Sequence, residues 1–161
     1  MQTPRRASGD GVTLAPSLAK EVITTGGAPS GFAGYSQAIR ANGFVFVAGQ
    51  PSIDPATGKI AETIQEQTRQ CLRNIEAILE AAGCTIADVA QATVILDDES
   101  DFAGMNEEWG RWFTTDPPAR QGAKLPIRPQ GMRISIAVIA VNLALVIMLA
   151  ASGEVLVSSS R

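Results

Sequence analysis

With no histidine among its 161 residues, this chain lacks the side chain that most often moves protons near neutral pH. The Ser-His-Asp triad, the Cys-His pair, histidine-liganded zinc and the histidine general base are all excluded. The two cysteines, Cys71 and Cys84, fit no metal-ligand spacing. So few argue against a disulfide scaffold and favour a reducing compartment, although one bridge stays open. Cys71 falls on an apolar helix face, where packing accounts for it. Arg120 offers a planar fork suited to a two-point carboxylate contact, a geometry lysine does not reproduce. Taken alone, a surface or interface ion pair is the commoner fate of such an arginine.

The composition says what must position such groups. Hydrophobic residues make up 45% and charged residues 18%, a globular balance that predicts one compact domain with tails. A net charge of −3 argues against broad affinity for nucleic acid. Arg5 and Arg6 are followed by polar, Gly- and Pro-containing sequence and no apolar run, so no signal peptide is read and a cytoplasmic location is expected.

Residues 1–19 show no sustained period and read as a flexible N-terminal arm. Glu21 to Thr25 is a short strand. Asn42-Gly43 is a tight-turn signal joining a strand over Tyr35 to Ala41 to the dense apolar strand Phe44 to Ala48. Thr63 and Glu66 form a capping box, and Ile64, Cys71, Leu72, Ile75, Ile78, Leu79 and Ala82 recur at helical spacing until Gly83. Val89 to Leu96 reads as a strand. A second helix, capped by Ser100 or Asp101, carries Phe102, Met105, Trp109, Trp112 and Phe113. Pro117-Pro118 ends it, and strands over Ala119 to Leu125 and Met132 to Ala140 complete the order. An α+β fold with a six-stranded mixed sheet and two helices on one face follows. The opposite face then needs cover, most simply from further copies of the chain.

The uncharged run from Ile134 to Ala151 is 18 residues long, at the lower edge of a bilayer span. Its first part alternates as a strand, and the 11 residues from Val141 to Ala151 are too few for a helical span of about 20. A membrane span is therefore not expected. Residues 141–161 are read as an apolar C-terminal extension of unclear role.

Several stretches together resemble the RidA/YjgF family of reactive-intermediate deaminases. They are Gly34-Tyr35-Ser36-Gln37-Ala38-Ile39, Phe44-Val45-Phe46-Val47-Ala48-Gly49-Gln50, Asp54-Pro55-Ala56-Thr57-Gly58, Glu66-Gln67-Thr68, Asp101-Phe102, Met105-Asn106, Pro118-Ala119-Arg120 and Pro129-Gln130-Gly131. They run in the family's order over residues 20–140. The resemblance implies a chorismate-mutase-like fold assembled as a homotrimer with ligand clefts between subunits. It also implies hydrolysis of enamines and imines to 2-keto acids and ammonia, with no metal and no cofactor. Arg120 matches the arginine that clamps the substrate carboxylate, while Tyr35 and Asn106 match residues lining the cleft.

The sequence also departs from that pattern. Where the deaminating branch carries a glutamate that handles the hydrolytic water, this chain has Ala137. Gly122 replaces a cysteine two residues after the arginine, leaving its backbone amide and carbonyl to serve. Ala48 replaces a small polar residue, and Gly34 replaces a proline. A roomier, more apolar cleft is expected. Ser135, on the same strand face as Ala137, is a candidate to hold a water in place of the carboxylate. Two functions stand side by side: an imine deaminase, and a non-catalytic binder of a small carboxylate ligand. A lyase or hydrolase acting on another carboxylate ranks below them, and ribonuclease activity, with neither histidine nor a basic patch to support it, ranks last.

Overall fold

The computed structural model describes residues 20–31, 34–127 and 131–142. The N-terminal arm, residues 143–161 of the apolar extension and the Pro129-Gln130 pair lie outside them.

Local signals set the elements. Asn42 and Gly43 both take positive φ, 51° and 79°, the backbone of a tight hairpin turn. That turn joins β2 (Ala38–Ala41) to β3 (Phe44–Pro51), and β1 (Glu21–Ile23) pairs antiparallel with β2. The strand expected from Tyr35 begins only at Ala38. The reason is Gln37, whose buried side chain turns into the preceding loop and bonds Thr25, Ala28 and Pro29.

Helix α1 (Ile64–Ala81) starts with the expected capping box: Thr63 Oγ1 accepts from Glu66 N–H at 3.2 Å and Thr63 N–H donates to Glu66 Oε2 at 3.4 Å. It ends at Gly83 with φ 71°, where Cys84 N–H reaches Leu79 C=O at 2.8 Å and Gly83 N–H reaches Glu80 C=O at 2.9 Å. This double closure satisfies the last carbonyls, and only glycine adopts that φ without strain.

After α1 come β4 (Val89–Leu96), α2 (Phe102–Trp112), β5 (Ala119–Lys124) and β6 (Ile134–Val141). The sheet order is β1-β2-β3-β6-β4-β5, antiparallel throughout except for the parallel pair β4 and β5. It is the six-stranded mixed sheet read from the sequence. The α1 helix packs on β3, β6 and α2. Its apolar stripe meets Val45 and Val47 of β3 and Ile134, Ile136, Val138 and Ala140 of β6. The alternate residues Phe44 and Phe46 are each 42% exposed, and their face of the sheet carries no helix.

One detail differs from the sequence reading. Asp101 does not cap α2 with its side chain; its carboxylate is taken by the guanidinium of Arg133, with Arg133 Nε donating to Oδ2 at 2.8 Å. Capping in that turn falls to Asp98, which accepts from Ser100 N–H at 2.8 Å. Phe102 points outward and is exposed. Both cysteines are buried and unbridged, and burial pushes the Cys71 thiol far above its ordinary range. No helix among the described residues is long and apolar enough to cross a membrane.

Candidate functional site

The residues singled out from sequence sit at three places in one chain. Arg120 and Asn106 come together. Register places Arg120 opposite Ala92, a buried residue of the helix-covered face, so its side chain rises from the edge strand β5 toward α2. There Arg120 Nη2 donates to Asn106 Oδ1 at 2.7 Å, Nη1 lies 3.7 Å from Met105 Sδ, and Cζ stands 4.9 Å from the centroid of the Trp109 ring. Met105, Asn106 and Trp109 share a helix face because they are three and four residues apart. Among the described residues, no carboxylate lies within ion-pair distance of Arg120 or of Arg73, whereas Arg40, Arg69, Arg111 and Arg133 each hold at least one. Arg120 is therefore a propped cation on an exposed strand, free to meet an anion from outside.

Gly122, two residues on, is opposite Val94 on the same face. A Cβ built there would meet only Val94 C=O at 3.5 Å, an ordinary contact, so the missing side chain is space left beside the arginine.

Ser135 and Ala137 lie on the other, helix-free face, two strands from β5. The structure does not bring them to Arg120 within one chain. Thr93 is directly opposite both Ala137 and Gln121, and its Oγ1 accepts from Gln121 Nε2 at 3.0 Å and Gln91 Nε2 at 3.4 Å. A neutral amide and hydroxyl cluster thus flanks the alanine. Gly49 is explained here too: a Cβ on it would come within 2.9 Å of Ser135 Oγ.

Tyr35 is 49% exposed in the loop before β2. Strand β2 is four places from β5 in the sheet, a separation of roughly 19 Å at the usual strand spacing. Tyr35, in the loop that leads into β2, and Arg120, on the edge strand β5, thus lie toward opposite edges of the sheet.

Sequence reasoning missed the supports. Trp109 and Met105 read only as apolar helix residues, though their spacing around Asn106 was a usable signal. Gln67 is buried and ties Ser52, Ala61, Gly131 and Arg133 together. Behind the site, Glu108 of α2 receives a two-point contact from Arg69 of α1, at 2.8 and 2.7 Å, and a bond from Trp112 Nε1 at 3.2 Å. The Arg69 guanidinium holds the Glu108 carboxyl below its ordinary range, against the opposing effect of burial. Among the described residues no group of three or more Cys, Asp or Glu is placed to hold a metal ion.

Comparison with known proteins places this arrangement in a group. The profile of the family described as Endoribonuclease L-PSP matches residues 25–142. A RutC family protein of Pyrococcus horikoshii is 49% identical over 122 residues, 75% of this chain and 97% of its own. A 2-iminobutanoate/2-iminopropanoate deaminase of Capra hircus is 37% identical over 127 residues, 78% of this chain and 93% of its own. Among solved structures, the Rid-family protein YyfA of Yersinia pestis superposes with a TM-score of 0.73 at 38% identity, covering 76% of this chain and 99% of its own. The chain belongs to the Endoribonuclease L-PSP family, the RidA/YjgF family that its motifs resemble.

Proposed function

We propose that this protein is a Rid-type enamine/imine deaminase that hydrolyses small 2-imino acids to 2-keto acids and ammonia. The observation that carries the reading is Arg120, a cation propped on Asn106 and Trp109 with no carboxylate of its own among the described residues. Its fork binds the substrate carboxylate and fixes the imine carbon next to it. Water adds to that carbon of the protonated imine, a proton passes from the added oxygen to nitrogen, and the C–N bond breaks as the remaining hydroxyl proton departs to solvent, releasing ammonia and the keto acid. With alanine at position 137, the protein supplies orientation and a held water but no acid-base carboxylate. Such assistance is typically worth about 10²–10⁴-fold, so a slow deaminase is expected.

The cleft is assigned to the boundary between copies, in a homotrimer. Tyr35 and Arg120 lie too far apart in one chain to share a small ligand, and the helix-free face carries Phe44 and Phe46. Tyr35 of one copy then lines the cleft that Arg120 of another anchors, with the Gly122 backbone beside it and Ser135 as a further water-holding residue. No nucleic-acid partner is assigned, and the two buried thiols fit a cytoplasmic setting.

The test is ammonia release from freshly generated 2-iminobutanoate, expected in the wild type and lost in Arg120→Ala; no release from any small imino acid rejects the reading. Ala137 favours one second reading, a non-catalytic binder of small carboxylates. Calorimetric binding of 2-ketobutyrate without turnover selects it. Sedimentation gives the assembly state, and a monomer at micromolar concentration rejects the shared cleft.

A further inference from the structure

We infer that Trp109 is a positioning residue for Arg120, its indole face holding the guanidinium in the orientation that receives a carboxylate. The inference rests on the carboxylate-binding reading of Arg120 and adds a residue to it. An arginine on an exposed strand has several flexible bonds, and a ligand that must freeze them loses affinity. Here the guanidinium is constrained beforehand. Its Cζ stands 4.9 Å from the Trp109 ring centroid, within the range of a cation–π contact, and Asn106 Oδ1 takes one of its N–H groups at 2.7 Å. The two supports differ in kind. The asparagine consumes a donor at one edge, while the ring occupies a face and leaves the remaining N–H donors free for a two-point carboxylate contact.

Trp109 is itself fixed. It is 7% exposed, and its ring lies 4.4 Å, centroid to centroid, from Phe113. The next residue on one side, Glu108, is bonded by Arg69 of α1, which keeps this turn of α2 in place against α1. A rigid aromatic plane thus holds the cation of an otherwise flexible side chain. A core role alone would need the indole volume but not its electron-rich face, and this difference separates the two roles experimentally.

The experiment measures binding of 2-ketobutyrate by calorimetry and unfolding temperature, for the full chain and for Trp109→Phe and Trp109→Leu. Both variants leave a smaller side chain and are expected to unfold at lower temperature. Affinity is expected to follow the ring: about threefold weaker for phenylalanine, whose face attracts a cation less, and about tenfold weaker for leucine, which has none. On turnover of 2-iminobutanoate the loss appears in KM, with kcat nearly unchanged. If the leucine variant does not fold, the phenylalanine variant decides. Wild-type affinity in either folded variant overturns the inference while leaving the carboxylate reading intact. No binding of 2-ketobutyrate by the wild type overturns both.

Discussion

Replacing Asn106 by aspartate separates the observed use of Arg120, as an internal partner, from the proposed one, as a ligand anchor. The substitution keeps the side-chain shape and adds a negative charge at the atom now 2.7 Å from Arg120 Nη2. The internal bond becomes an ion pair, so the unfolding temperature is expected to hold or rise. The ligand meets the reverse, because the guanidinium is already neutralised. Two unit charges about 4 Å apart interact by about 4 kcal/mol at an effective dielectric of 20 and by about 1 kcal/mol in bulk water. Arg120 sits on an exposed strand, which places the effect near the lower figure. A cost of about 1–2 kcal/mol weakens 2-ketobutyrate binding by roughly 5- to 30-fold. Asn106→Leu, which removes only the hydrogen bond, is expected to cost about 1 kcal/mol, or about fivefold. The sign with pH is distinctive. Arg120 depresses the pKa of the new carboxylate, so the lost affinity returns only as pH falls to about 4 or below and the aspartate becomes neutral. Raising salt is expected to shrink the penalty. Calorimetry at pH 7 decides: a folded Asn106→Asp protein that binds 2-ketobutyrate as tightly as the wild type refutes the anchor role of Arg120.

Other expectations test the helices, the ion pair and the missing carboxylate. In α2, a Cβ on Gly110 meets nothing within 4 Å, so Gly110→Ala is expected to stabilise by about 1 kcal/mol in urea unfolding. At Gly104 the same atom would lie 2.5 Å from Ile64 Cγ2, and the overpacking cost of about 1–3 kcal/mol outweighs the propensity gain. Equal signs for the two alanines would refute this account of how α2 approaches α1. Glu108 has a depressed pKa in the folded chain, so its stabilising effect is full above its unfolded value and lost as pH falls through the folded one. The urea midpoint should therefore drop below about pH 4.5, and Glu108→Gln should flatten that drop while lowering the midpoint at pH 7. Ala137→Glu places a carboxylate beside the Thr93 hydroxyl, and about 10²-fold faster ammonia release is expected, declining in acid as the new group protonates. An unchanged kcat would assign the hydrolytic water elsewhere.

The legible parts of the fold were those written in neighbouring residues. The capping box at Thr63, the stop at Gly83, the Asn42-Gly43 turn and the alternation from Ile134 to Ala140 all act within a few positions, and each element formed where its pattern lay. The unread parts join distant segments. Arg69 and Glu108 are 39 residues apart, and Gln67 and Arg133 are 66 apart. No periodicity announces such a partner. A weaker signal did exist: Gln67 and Asn74 interrupt the apolar stripe of α1 at positions that must be buried, and a buried amide has to find bonds. Asp101 shows the converse, since a residue type favoured at helix starts was claimed by an arginine 32 residues away.

The same distinction bears on the site. Arg120 was found through its Pro118-Ala119-Arg120 context, but what props its guanidinium is three residues of α2, and nothing in β5 specifies them. Tyr35 and Ser135 mark its limits: one lies across the breadth of the sheet, the other on the opposite face. A small molecule does not span the breadth of the sheet. Any cleft that uses Tyr35 and Arg120 together must draw them from two chains, and ligand binding is then linked to assembly. Whatever binds only the assembled form shifts the equilibrium toward it, so dilution should weaken apparent affinity while saturating 2-ketobutyrate should oppose dissociation.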